Sequence, residues 1–181
     1  MTCIVGLQHR DGVTIGGDSA ATSGCDQRIR AEGKVFTTGP YLMGFTSSFR
    51  MGDILRYGLL TPEPPRRALD RFMATIFVDA VRNALNDGGH LATKEGRAEG
   101  GTFLVGVHGV LYSIFSDFQV GRCLNKYDAV GSGGEVAVGS LHTSGRLGEL
   151  NPTQRVRMAL EAAASLNSAV SGPFRIRTQV K

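Results

Sequence analysis

Cysteine is scarce in this chain: Cys3, Cys25 and Cys123 are the three among 181 residues. That is too few for the disulfide framework on which small exported domains rely. The amino terminus also has no basic segment followed by an apolar one, the pattern that directs export. Reduced thiols in a cytoplasm are therefore expected. No apolar run is long enough to cross a bilayer, so no membrane partner is expected. The net charge is +4 and comes mostly from arginine. Arg28 and Arg30, Arg66 and Arg67, and Arg155 and Arg157 are scattered along the chain rather than clustered. A solvated surface is favoured over a nucleic-acid interface.

Several motifs are missing too. There is no GxSxG, and no serine stands beside an obvious base. His9, His90, His108 and His142 form no zinc-type pair, and surface turns suit them better than a metal site. The stretch "VGSGGEVAVG" lacks the lysine of a P-loop and the spacing of GxGxxG. Tight packing of a turn explains it better than phosphate binding. No cofactor and no metal are expected.

What the chain does have suits one globular domain over residues 1–181, with 41% hydrophobic and 20% charged residues. Residues Thr2 to Gln8 alternate as a strand, "HRDG" turns, and "VTIGGDS" returns. "RIRAEGKVF" reads as a third strand, "TTGP" as a turn and "YLMGF" as the strand paired with it. Two successive hairpins are thus expected. A short helix around Met51, Ile54 and Leu55 ends at "TPEPP". Leu69, Phe72, Met73, Ile76, Phe77, Ala80, Val81, Ala84 and Leu85 repeat at helical spacing up to "NDGG". Strands follow in "GTFLVGV", "VLYSIF", "QVGRCL" and "YDAVG". A helix enters from "GSGGEVAVGSL". Asn151 and Pro152 start a last helix, expected to reach about Val170, before the strand "RIRTQV". Segregated hairpins and helices imply α+β. Two antiparallel sheets packed face to face, each with an outer helical layer, would use every element.

Cys3 is one candidate nucleophile, but its place in a strand fits a buried core thiol better. Alternation would also send Thr2 and Cys3 to opposite faces. Thr2 becomes a nucleophile only if Met1 is removed, because the freed α-amine then supplies a base beside the hydroxyl. A small second residue permits that trimming. Asp18 and Lys34 stand at strand ends that can meet the start of the first strand. A lysine there would favour a neutral amine and a developing alkoxide, and an aspartate would hold the lysine. A surface salt bridge near the strand ends fits the same spacing equally well.

On these residues the chain resembles the proteasome β-subunit family of amino-terminal nucleophile hydrolases, and within it the short bacterial HslV type. "TCIVGL…DGVTIGGDS" is similar to that family's opening hairpin. The resemblance implies Thr2 as nucleophile, Asp18 in "GGDS" as the paired acid and Lys34 in "GKVF" as the lysine. Through "AVGSGGEVAVGSL" it implies a supporting role for Ser132. It further implies a four-layer αββα sandwich, a cytoplasmic threonine endopeptidase acting on peptides or unfolded protein, a homo-oligomeric ring and an ATPase unfoldase as partner. The family often has paired glycines where this chain reads "GFTSSFR". Backbone N–H groups near Ser47 and Ser48 would then form the oxyanion hole, without a conformation open only to glycine. The acid that many subunits carry before a Ser-Gly pair is replaced by Ser168 in "SAVSG". Two other readings stay open: a small-molecule amidase on the same fold, and an inactive ring or scaffold.

Overall fold

The computed structural model describes residues 2–23, 26–148 and 150–181. The expectations for Met1 and Cys25 fall on residues outside these. The strands in chain order are β1 (Ile4–His9), β2 (Gly12–Gly17), β3 (Ala20–Ser23), β4 (Asp26–Ile29), β5 (Val35–Thr38) and β6 (Tyr41–Phe45). After the first helices come β7 (Ala92–Lys94), β8 (Arg97–Glu99), β9 (Phe103–Val107), β10 (Val110–Ile114), β11 (Val120–Gly121) and β12 (Tyr127–Val130), and β13 (Arg175–Val180) ends the chain. All pairings are antiparallel, in one sheet ordered β12-β1-β2-β13 and a second ordered β11-β10-β9-β6-β5. Two small hairpins, β3-β4 and β7-β8, stand apart from them.

The sheets face each other across Ile4, Val13, Ile15, Val35, Leu42, Leu104, Leu111 and Val130, all buried. Strand alternation sends Cys3, Val5 and Leu7 to the other side of β1, under helices α4 (Gly134–Ser144) and α5 (Pro152–Leu166). The second sheet is covered by α1 (Phe49–Asp53), which runs into a π-helical turn at Ile54–Gly58, and by α2 (Leu69–Phe72), a second π turn at Met73–Phe77, and α3 (Val78–Asp87). Met51, Leu55, Met73, Phe77, Val81 and Leu85 pack there against Met43, Phe45 and Phe103. The result is the expected αββα order of layers. Among the described residues no helix is long and apolar enough to cross a membrane.

Local chemistry explains the helix starts. Asn151 caps α5 with a reciprocal pair: its side chain accepts from Gln154 N, and Gln154 Oε1 accepts from Asn151 N, each at 2.9 Å. Ser48 caps α1 through a bond from Arg50 N at 3.1 Å.

Two expectations are corrected. "RIRAEGKVF" is not one strand: it breaks into β4, a connecting segment and β5, and β4 pairs with β3 instead of a core sheet. All four residues of β4 are exposed, so burial gives no reason to continue the strand. Helix α5 stops at Leu166, where Asn167 takes an extended conformation, rather than reaching Val170. Neither π turn was legible, because a 3.6-residue spacing does not announce a local widening.

Candidate active site

The start of β1 lies beside the end of β2, with Ile4 opposite Gly17. This register carries one step further: Asp18 N donates to Cys3 O at 3.2 Å, and Cys3 N donates to Asp18 Oδ1 at 3.0 Å. Ala20 N donates to the other oxygen, Oδ2, also at 3.0 Å. The Asp18 carboxylate is thereby fixed by backbone donors before any side chain meets it. Lys34 comes from the segment just before β5, and its Nζ lies 2.9 Å from both Asp18 oxygens. The same Nζ donates to Thr2 Oγ1 at 2.8 Å.

Burial decides what kind of ion pair this is. Lys34 is 1% exposed, Asp18 0% and Thr2 6%. The surface salt bridge left open by the sequence is excluded, because neither charged side chain reaches solvent. A buried ammonium requires full pairing, and three short contacts provide it. Burial pulls the Lys34 ammonium below its ordinary value, while the Asp18 charge and hydrogen bonds push it back up. Its Nζ also stands 5.8 Å from the Phe49 ring centroid.

Cys3 behaves as a core residue. Its thiol is pushed up to about 12, first by burial and then by the Asp18 charge, with Lys34 opposing. A thiolate nucleophile does not form there near neutral pH. Thr2 and Cys3 do point to opposite faces: Thr2 meets Lys34, and Cys3 lies under the helices.

Ser132 joins the group from the β12-to-α4 turn. Thr2 N donates to Ser132 Oγ at 3.3 Å, and Gly133 N donates to Thr2 O at 3.3 Å. Gly131 explains the glycines in this turn. It adopts φ 99°, and a Cβ there would collide with the Thr2 carbonyl oxygen. The turn is packed tightly onto the Thr2 backbone.

On the other side, Thr46, Ser47, Ser48 and Phe49 wall a cleft of about 110 Å³ with Thr2, Ala21, Thr22 and Lys34. Ser47 takes φ 69° although it is not glycine. The expectation that such a conformation would be lost with the glycines is corrected. Ser47 Oγ lies 3.1 Å from Thr46 Oγ1 and accepts from Thr102 N at 3.4 Å, so the side chain helps hold the turn. Ser48 N donates to Thr46 O at 2.8 Å, closing a three-residue γ-turn centred on Ser47, a rare form of positive φ. The Ser48 N–H is thus engaged inside the loop. Ser168 is exposed, and its carbonyl accepts from Gln27 Nε2 at 3.1 Å.

The sequence pointed to Thr2, Asp18, Lys34 and Ser132, and the fold brings all four within hydrogen-bonding reach. It gave no notice of Phe49, Arg56 or Arg175. Arg56 was findable as a charged residue directly after the buried pair Ile54 and Leu55.

By sequence, no family model matches the chain and no curated protein matches it. Solved structures do match. The chain is similar to BPH from Thiobacillus denitrificans in complex with epoxomicin, at 16% identity and TM-score 0.83, over 99% of this chain and 98% of that one. It is similar to eukaryotic HslV from Trypanosoma brucei at 16% identity and TM-score 0.72, over 99% of this chain and 100% of that one. It is also similar to Anbu (ancestral β-subunit) from Yersinia bercovieri at 16% identity and TM-score 0.68, over 99% of this chain and 82% of that one. The likeness establishes the fold: this chain has the architecture of proteasome-like amino-terminal nucleophile hydrolases.

Proposed function

We propose that this chain is a threonine endopeptidase of the amino-terminal nucleophile type, with Thr2 as nucleophile once Met1 is removed. The observation that carries the reading is the buried line of contacts from Thr2 Oγ1 through Lys34 Nζ to both oxygens of Asp18. In the proposed reaction the freed Thr2 amine, with an ordinary pKa of about 8, takes the hydroxyl proton directly or through water. Thr2 Oγ1 attacks the peptide carbonyl. The Lys34 ammonium, 2.8 Å from that oxygen, stabilises negative charge as it develops and favours the neutral amine. Backbone N–H groups at Ser47 and Ser48 take the oxyanion, which requires Ser48 to leave the Thr46 carbonyl. The amine then protonates the leaving nitrogen, and water releases the acyl-enzyme. Asp18 holds Lys34, and Ser132 orients the amine.

The substrate we propose is a peptide or unfolded protein. A homo-oligomeric ring, an ATPase unfoldase partner and a cytoplasmic location belong to the same proposal. They rest on the family resemblance and on likeness to HslV and Anbu. A second reading, an inactive scaffold on this fold, is favoured by one observation, the engagement of Ser48 N–H by Thr46 O.

The test uses untagged protein, an intact-mass measurement and a fluorogenic peptide, with epoxomicin as probe. Loss of Met1, together with hydrolysis that epoxomicin stops and Thr2→Ala abolishes, supports the peptidase. A folded protein without Met1 that cleaves no peptide supports the scaffold. A protein retaining Met1 has no basic amine at Thr2, and hydrolysis by it would overturn the mechanism.

A further inference from the structure

Lys34 owes its position to a segment that belongs to no strand or helix. Between β4 and β5, residues 30–34 cross from an exposed hairpin into the core. Three hydrogen bonds to other parts of the chain hold this crossing. Arg30 N donates to Ser19 O at 3.0 Å, Arg175 Nη2 donates to Ala31 O at 2.9 Å, and Arg56 Nη2 donates to Gly33 O. Arg175 reaches in from β13, at the edge of one sheet. Arg56 reaches in from the π turn that covers the other sheet.

The Arg56 contact is the one next to Lys34. The peptide whose carbonyl it binds is the Gly33–Lys34 peptide, so the guanidinium sets the plane from which the lysine side chain departs. Its guanidinium carbon stands 4.6 Å from the Phe36 ring centroid and 5.7 Å from that of Tyr57, which limits its freedom. Its Nε is buried and has no hydrogen-bond partner among the described residues. Leaving a buried cationic donor unpaired is costly, and the offsetting contact is the charge-assisted bond to Gly33 O. On the far side of Lys34, the Phe45 N–H donates to the Lys34 carbonyl at 3.1 Å. The residue is clamped on both sides of its Cα.

We infer that Arg56 is a positioning residue for Lys34, holding the Gly33 carbonyl so that Lys34 Nζ reaches Thr2 Oγ1 and Asp18 together. In its kinetic consequence this rests on the catalytic reading of the Thr2 site. Its structural consequence does not. Lysine has a long flexible stem, and without a fixed backbone its ammonium has no reason to stay buried. The charged and titratable groups facing it are Asp18, after β2, and Cys3, before β1, with Arg30 over the same Phe49 ring.

The test replaces Arg56 by Met, which keeps an apolar stem against Phe36 and removes the bond to Gly33. Arg82→Met is the control: it removes a surface guanidinium that pairs with Asp79 and lies over Phe118. The first readout is lysine 13Cε NMR in a background where Lys94, Lys126 and Lys181 are arginine, so that Lys34 alone gives the signal. Arg56→Met is expected to move the Lys34 chemical shift and its titration midpoint toward those of a free lysine, while Arg82→Met leaves both in place. The second readout is hydrolysis: kcat is expected to fall by about tenfold to a hundredfold with KM held, as for a misplaced catalytic group. Arg56→Lys, which keeps the charge without the planar fork, is expected to recover part of that loss, and it decides the matter if Arg56→Met does not fold. A folded Arg56 variant whose Lys34 signal and kcat both match the control overturns the inference. If the wild-type protein hydrolyses nothing, the catalytic reading fails, and the Lys34 signal alone decides the role of Arg56.

Discussion

Lys34 Nζ lies 2.9 Å from both carboxylate oxygens of Asp18, and neither side chain reaches solvent. Removing one partner leaves the other charge buried. Lys34→Met is therefore expected to cost about 3–5 kcal/mol in urea unfolding. Replacing both, as Asp18→Asn with Lys34→Met, is expected to recover part of that stability, because the amide nitrogen faces a backbone N–H whose acceptor was a carboxylate oxygen. Hydrolysis stays absent in the double variant. A double variant no more stable than the single one would show that the pair is not coupled as the contacts require.

Thr2 separates chemistry from folding. Thr2→Ala is expected to abolish peptide hydrolysis while the melting temperature stays close to that of the wild type, since the Lys34 ammonium keeps both Asp18 oxygens. Thr2→Ser keeps the oxygen and loses only the methyl that restricts χ1, so it is expected to retain measurable activity. Activity in Thr2→Ala would remove this residue from the mechanism.

A short extension fused ahead of Thr2, in a form the host does not trim, turns the amine into an amide without a basic lone pair. Hydrolysis is expected to vanish while sizing and circular dichroism stay unchanged. A carboxy-terminal fusion serves as the comparison and is expected to remain active. The check is a fluorogenic peptide assay beside mass spectrometry of the intact extension.

Ser47 sits at φ 69° in the cleft wall. Ser47→Val places a β-branched residue at positive φ and removes the acceptor for Thr102 N, an expected loss of about 1–3 kcal/mol. Ser47→Gly relieves the backbone and is expected to stay within about 1 kcal/mol of the wild type. Equal stability for the two variants in denaturant titration would mean that positive φ is not kept in solution.

The Cys3 thiol has its own pH signature. Its folded value, about 12, is raised above the ordinary 9.0, so its share of stability is complete below pH 9 and is lost as pH climbs toward 12. Cys3→Ala is expected to flatten the alkaline decline in that window. At pH 8, iodoacetamide followed by peptide mapping is expected to label the exposed Cys123 and leave Cys3 unmodified until the protein unfolds.

Much of this protein was legible in one dimension. The strand patterns in Ile4–His9 and Gly12–Gly17, the helical repeat from Leu69 to Leu85, and the Asn151–Pro152 cap are local signals, and each marks its element, the repeat apart from the π turn at Met73–Phe77. The layer order followed, because strand and helix faces that are apolar have to be covered. Alternation also fixed that Thr2 and Cys3 part company. These outcomes depend on periods of two and 3.6 residues, which a chain carries in its residue order.

Tertiary structure alone decided the rest. Lys34 and Asp18 look like any strand-end charges until two sheets close over them, since burial is a property of the assembled layers. The break of "RIRAEGKVF" into β4 and β5 came from the pairing of β4 with β3, a partner that no local pattern names. Ser47 holds a left-handed turn through Thr102, which is 55 positions away. Arg56 and Arg175 converge on residues 31–33 from opposite layers. Contacts of that kind join residues distant in sequence, and residue order records none of those distances until the chain has folded.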